Sequence, residues 1–205
     1  TITAGSTGEK SYTANWNSLN ATTYEYKVEH YRQNLDGTYS STPTETDYLE
    51  TNNQTVTPNR RNYTGFIMPE AKTVTLNTGN IEVIKYYYER SSYTVTITKG
   101  KGIKEVTGAG TYRYGETVSL TFELEPGYKG WSWTIKGIGD DDYDEETDSF
   151  AMPATNVSID VYITSLFEYT ISYNLNGGIG NANPSTYNVE SSDIVLNAPT
   201  REGYE

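Results

Sequence analysis

The sequence predicts a mainly β protein with little α-helix, built from small modules in tandem. Three observations carry this. First, residues 93–128 and 169–204 are two copies of one segment at a constant offset of 76. Tyr93-Thr94-Val95-Thr96 matches Tyr169-Thr170-Ile171-Ser172, Gly102-Ile103 matches Gly178-Ile179, Val118 and Leu120 match Ile194 and Leu196, and Gly127-Tyr128 matches Gly203-Tyr204. Repetition at such a period marks an array of units, and the matched positions are apolar, aromatic or glycine, the residues of a scaffold rather than of a site. Second, no long stretch places apolar residues at three-to-four spacing, whereas short alternating stretches bounded by Gly, Pro, Asn and Asp recur. Third, 20 Tyr stand against 4 Phe and 3 Trp; tyrosine is a strand former with a polar handle and suits a half-buried sheet.

Taken in order, residues 1–16 predict a turn punctuated by Gly5 and Gly8 and then a strand with Tyr12, Ala14 and Trp16 on one face. Residues 17–22 are polar and linker-like. Residues 23–41 predict a hairpin: Tyr24, Tyr26, Val28 and His30 share one face, Glu25, Lys27 and Glu29 the other, and Asp36-Gly37 supplies a left-handed turn. Thr44 to Glu50 is read as a short helix between the breakers Pro43 and Pro58. Extended segments follow at Tyr63–Phe66, Thr73–Leu76 and Ile81–Tyr88. Phe66-Ile67-Met68-Pro69 is echoed by Phe150-Ala151-Met152-Pro153, each before a Thr-Val or Asn-Val strand (Thr73-Val74, Asn156-Val157). The second copy of the repeat stops one residue after its Gly-Tyr pair, while the first runs on to Thr164, so the chain is expected to be a piece of something longer.

Composition removes several function classes. A net charge of −12 opposes binding to nucleic-acid phosphates and to anionic membrane surfaces, and no apolar run approaches the roughly 18 residues of a membrane span. With no Cys and one His, disulfides, thiolate sites and multi-histidine zinc sites are excluded. His30 would have to serve any Ser-His-Asp arrangement, yet it lies mid-strand and reads as structural.

Two runs of residues resemble bacterial surface-repeat families. Tyr26-Lys27-Val28-Glu29-His30-Tyr31, Leu35-Asp36-Gly37, Tyr63-Thr64-Gly65-Phe66 and Val83-Ile84-Lys85-Tyr86-Tyr87-Tyr88 resemble a mucin-binding-protein (MucBP) repeat over residues 22–90. Tyr169-Thr170-Ile171-Ser172-Tyr173-Asn174-Leu175-Asn176-Gly177-Gly178 with Pro199-Thr200-Arg201-Glu202-Gly203-Tyr204 is similar to the opening half of a Listeria–Bacteroides repeat, the internalin B-repeat. Residues 1–16 resemble the closing half of one. Residues 91–166 resemble a divergent member, in which Lys99-Gly100-Lys101-Gly102 replaces the Asn-Gly-Gly turn and Gly127-Tyr128-Lys129-Gly130-Trp131 keeps the later motif. The resemblance implies four segments: 1–21, closing strands plus linker; 22–90, a MucBP-like module; 91–166, a divergent B-type repeat; and 167–205, the first half of another. It implies small β-grasp-like modules in an elongated array, an extracellular position on the cell wall of a Gram-positive bacterium, and a non-catalytic role in an adhesin. The partners it implies are neighbouring repeats of the same chain and, for a true binding module, mucin glycans or a host surface protein. The opening and closing halves are complementary by family pattern, so either is expected to add a strand to a neighbouring chain's sheet edge.

Three constellations stand out as candidate sites. Tyr86-Tyr87-Tyr88, with Tyr31 and Tyr39, predicts either an exposed aromatic strip or cross-strand pairing that stabilises the sheet. Trp131 and Trp133 share one strand face; Trp131 follows the Gly-Tyr motif and is read as core, so that either Trp133 is partly exposed as a sugar-stacking candidate or both rings lie inward. Seven acids occupy the nine positions from Asp140 to Asp148. Asp140, Asp141, Asp142, Asp144 and Glu146 offer oxygen ligands for Ca²⁺, but the spacing lacks the glycine and terminal glutamate of an EF-hand, and a solvated loop is the plainer reading. Beyond this possible Ca²⁺, no cofactor is expected. Paired-carboxylate glycoside hydrolysis needs a fixed separation across a cleft, which one acidic loop does not supply.

Overall fold

The computed structural model describes residues 1–16, 22–180 and 182–204. It is nearly all β, with strands gathered in several small sheets and one 3-10 turn at Asp140–Asp142. The chain divides into two compact units. Unit 1 takes in Thr1–Arg32, Tyr39–Arg61 and Met68–Tyr88; unit 2 takes in Gln33–Thr38, Asn62–Ile67 and Glu89–Glu205.

Unit 1 holds β1 (Tyr24–Arg32), β2 (Glu45–Thr51), β3 (Thr55–Val56), β4 (Val74–Thr75) and β5 (Glu82–Tyr88). β1 is central, antiparallel to β2 and parallel to β5. The alternation of its sequence decides which side chains go inward: Val28 and His30 meet Ile84, Tyr86, Tyr88 and Leu76 in the core. The buried tyrosines spend their hydroxyls on the irregular segments. Tyr86 donates to the Pro58 carbonyl at 3.1 Å, and the Arg61 amide donates to the Tyr88 hydroxyl at 2.8 Å. A core of tyrosine instead of phenylalanine therefore anchors loops that have no ladder of their own.

Unit 2 holds β6 (Ser92–Lys99), β7 (Ile103–Thr107), β8 (Gly110–Arg113), β9 (Thr117–Ser119), β10 (Thr121–Leu124), β11 (Tyr128–Lys136), β12 (Tyr143–Asp144), β13 (Ser149–Ala151), β14 (Val157–Leu166), β15 (Tyr169–Thr170) and β16 (Thr186–Tyr187). Its main sheet runs β11-β14-β6-β8, with β14 parallel to β6; β9, β13 and β12 form a second sheet and β7 pairs with β10. The inward positions Val157, Ile159 and Val161 of β14 meet Val95, Ile103, Val118, Leu120, Phe150 and Met152 in one buried cluster. In each unit an early long strand pairs in parallel with a later one, β1 with β5 and β6 with β14, and no α-helix crosses either sheet among the described residues. Unit 2 also contains an arginine clasp. Arg90 donates through Nε to the Gln33 carbonyl at 2.8 Å and through a terminal nitrogen to the Tyr114 carbonyl at 2.6 Å, with its guanidinium 5.1 Å from the Phe66 ring centre.

Four local expectations are corrected. Thr44–Glu50 is not a helix: Glu45–Thr51 is β2, because its Thr, Asp and Tyr residues gain a full ladder against β1 that outweighs any local helical preference. The Asp36-Gly37 turn forms, with Gly37 at φ +83° and the Asn34 amide bonded to the Thr38 carbonyl, but β1 pairs beyond it with β2 instead of closing a tight hairpin over 23–41. Tyr63–Phe66 is a turn. Residues 9–16 form no strand, since nothing pairs with them among the described residues, and Tyr12 and Trp16 stand exposed. The linker at 17–22 falls, apart from residue 22, outside the described residues.

Candidate functional site

On β5 the alternation separates the tyrosine triplet. Tyr86 and Tyr88 are fully buried, whereas Tyr87 is 43% exposed. Tyr86 and Tyr88 therefore lie in the core, on the Val28–Ile84 side of the pleat, and are not part of an exposed strip. Tyr87 stacks on Tyr31 at 5.0 Å between ring centres and receives Tyr39 edge-on at 4.9 Å. Of this trio Tyr31 is buried and Tyr39 half-buried, so the strip narrows to one open ring supported by two others.

Beside the strip lies a charged cluster that sequence reasoning did not single out. Tyr31 donates to Glu29 at 2.6 Å; Lys27 lies 2.6 Å and Lys85 3.5 Å from the same carboxylate. The hydrogen bonds from Lys27 and Tyr31, helped by the nearby lysine charges, hold the Glu29 carboxyl down at about 2 despite its burial. The same bond raises the Tyr31 hydroxyl above its ordinary value. Because the folded value is depressed, the cluster stabilises unit 1 above the ordinary glutamate range, near pH 4.5, and that stabilisation is lost as pH falls through about 2. Solvent screening of the half-buried Lys27 and the exposed Lys85 keeps this contribution small. Glu29→Gln is expected to flatten this part of the pH profile, read as the urea midpoint of unit 1 between pH 5 and pH 2; an unchanged slope would refute the assignment.

His30, the lone histidine, is wholly buried. Its Nδ1 is 2.8 Å from the Tyr88 hydroxyl and its Nε2 3.3 Å from Asp47. Both ring nitrogens are occupied by packing partners, the geometry of a structural histidine.

In unit 2, β11 turns Trp131, Trp133 and Ile135 to the same face, opposite Ile163, Val161 and Ile159 of β14. Phe122 stacks on both tryptophans, at 4.1 Å and 5.1 Å, and Tyr143 meets Trp133 edge-on at 4.9 Å. Both tryptophans are half-buried and packed against the core, forming one ladder along its rim. Trp133 and Tyr143 wall a shallow cleft with Ile135, Ile138, Gly139 and Glu145. Tyr143 was concealed in the sequence because it sits inside the acidic run.

The acidic run folds back on its own backbone. Asp142 accepts from the Gly139 amide at 3.0 Å, and Asp144 accepts from the amides of Glu146 at 2.9 Å and Thr147 at 3.3 Å. Hydrogen bonds from the Thr147 side chain and these amides hold the Asp144 carboxyl below its ordinary value. Tyr143 donates to Asp148 at 3.1 Å, and burial together with that bond pushes its hydroxyl well above the usual range. The side chain of Asp140 lies outside the described residues; among those described, no three acidic or histidine side chains converge as a metal ion requires. Asp141 and Glu146 are exposed on the loop.

Residues 93–170 match the family model of the divergent InlB B-repeat domain. The match covers β6 to β15, which includes the whole buried cluster of unit 2, and this repeat type is typical of surface proteins. Residues 22–90 lie outside it. No curated protein matches the chain. No helix is long and apolar enough to cross a membrane among the described residues.

Proposed function

We propose that the chain is a non-catalytic repeat segment of a bacterial surface adhesin, displayed outside the cell on the wall of a Gram-positive organism, where it serves as scaffold for host or mucin adhesion. One observation carries the reading. The positions held in common by the two repeat copies include Val95, Ile103, Val118, Leu120 and Tyr128, all of them buried in unit 2. What the repetition preserves is packing, as expected of an array whose stability is shared among stacked units. The aromatic residues that would serve a ligand are largely committed to the same purpose. The acidic loop supports the plainer role of a solvated insertion, its carboxylates capping backbone amides.

A second reading, a glycan- or protein-binding module centred on residues 22–90 with the MucBP-like pattern, is favoured by Tyr87, held open on Tyr31 and Tyr39. An acidic chain would meet neutral glycans more readily than sialylated ones. Amide NMR of the whole chain, titrated with neutral and sialylated mucin glycans at millimolar concentration, separates the two. The scaffold role predicts a folded spectrum without localised shifts. Saturable shifts confined to the surroundings of Tyr31, Tyr39 and Tyr87, abolished by Tyr87→Ala, would replace it with the binding module.

A further inference from the structure

The cleft beside Trp133 measures about 380 Å³, within the roughly 300–1,000 Å³ of ligand sites. Every residue that lines it lies between positions 133 and 145, inside the matched repeat and remote in sequence from both ends of the chain. Trp133 and Ile135 of β11 line it together with Ile138 and Tyr143 from the segment that follows. Alternation turns Thr134 to the opposite face of β11, yet Thr134 lines the cleft too. The cleft therefore runs along the edge of the strand as well as beneath its face. That edge is open. β11 is the outermost strand of its sheet, and among the described residues its nine residues pair with β14 alone. An open edge takes a further strand through its backbone groups.

The border of the cleft is acidic. Asp142 and Asp144 accept from backbone amides and Asp148 from the Tyr143 hydroxyl. Glu145 differs: it is exposed, lines the cleft, and enters no hydrogen bond or ion pair among the described residues. An apolar trough bordered by a carboxylate matches a long basic side chain, whose aliphatic stem lies on the hydrophobic walls while its charged head meets the carboxylate. The rings add an attraction for the cation. A sugar is matched less well, since it needs an open ring to lie on. Phe122 is stacked on Trp133 at 5.1 Å, and Tyr143 stands edge-on to it at 4.9 Å.

We infer that β11 receives an extended segment of a partner protein as an added edge strand, with an arginine or lysine of that segment seated in the cleft against Trp133 and Tyr143 and its charge at Glu145. The inference rests on this cleft and edge and not on the proposed adhesin role; it is independent of whether the chain binds glycans.

The probe is a capped heptapeptide, Thr-Val-Thr-Arg-Thr-Val-Thr, in which the arginine and both valines share one strand face. Titrated into the whole chain and followed by amide and indole NMR, it is expected to give saturable shifts confined to residues 131–145. Replacing its arginine by citrulline, which keeps the shape and removes the charge, should weaken binding at least about tenfold. Methylating every second backbone nitrogen should do the same for one of the two alternating sets, the set that donates to β11. On the protein, Glu145→Gln should weaken the arginine peptide about threefold. Glu105→Gln, an equal change of net charge at an exposed residue of β7 outside the cleft, should leave it unchanged. Neither substitution touches a buried side chain, so a loss of binding is not a loss of fold. Equal weakening by both would reduce the contact to attraction by the net charge of −12 and overturn the proposal. So would equal affinity for the arginine and citrulline peptides, undiminished binding of both methylated forms, or N-acetyllactosamine shifting the same resonances where the arginine peptide does not.

Discussion

Phe150→Ala is expected to destabilise unit 2 by about 3–5 kcal/mol, the cost of emptying a buried aromatic site that cannot collapse around the loss. Phe150 lies at the centre of the β9–β13–β12 sheet, paired with Val118 on one side and Tyr143 on the other, and is 3% exposed. Its ring belongs to the cluster that joins Met152, Val118 and the inward residues of β14, so its removal opens a void shared by both sheets of the unit. Total stabilities of single domains are about 5–15 kcal/mol. Such a loss takes up much of the whole and should lower the melting temperature by roughly 15–30 °C for a unit of this size. Trp131 and Trp133 report the transition directly, since Phe122 and Tyr143 pack on them. Phe150→Leu, which keeps most of the volume, should cost less than about 1.5 kcal/mol. A loss below about 1 kcal/mol for the alanine variant would mean that the two sheets do not share one core.

The reach of the sequence follows from the range over which each signal acts. Alternation is local, so it separated Tyr87 from Tyr86 and Tyr88 and placed Val28 with His30 on one face of β1. Pairing is not local. β1 finds β5 and β6 finds β14 across some sixty residues, and nothing in a short window announces a parallel partner so far away. The same limit explains Glu45–Thr51, whose ladder against β1 is invisible to its own composition. The repeat offset, by contrast, carried long-range information, because two copies of a core pattern reveal which positions are packed without showing how. At the candidate sites, the aromatic residues were legible as types. Their supports were not: Lys85 and Glu29 meet only through the β1–β5 register, and Arg90 reaches Gln33 and Tyr114 from three separate segments of the chain. Tyr143 lies among carboxylates, and only the fold brings its ring against Trp133.

Gly102 tests whether the repeat is preserved for backbone geometry as well as for apolar packing. It stands at φ +81° in the turn between β6 and β7, and a methyl group there would overlap the ring of Tyr128, itself 7% exposed. The turn is also tied into the fold, because the Gly102 carbonyl accepts from the Glu125 amide at 2.9 Å. Gly102→Ala therefore meets two costs, about 1–2 kcal/mol for a side chain in the left-handed region and about 1–3 kcal/mol for displacing a packed ring. The expected sum is about 2–5 kcal/mol. Gly79 has nearly the same backbone angle, φ +80°, but no heavy atom within 4 Å of the added carbon. Gly79→Ala in unit 1 should show the backbone cost alone. The difference between the two measured losses isolates the contact with Tyr128, and the double variant Gly102→Ala/Tyr128→Ala should recover that part as a non-additive gain. Equal losses at Gly102 and Gly79 would show that Tyr128 yields freely. The Gly-Tyr pair of the repeat would then be kept for the turn alone and not for the lid its tyrosine forms over Gly102.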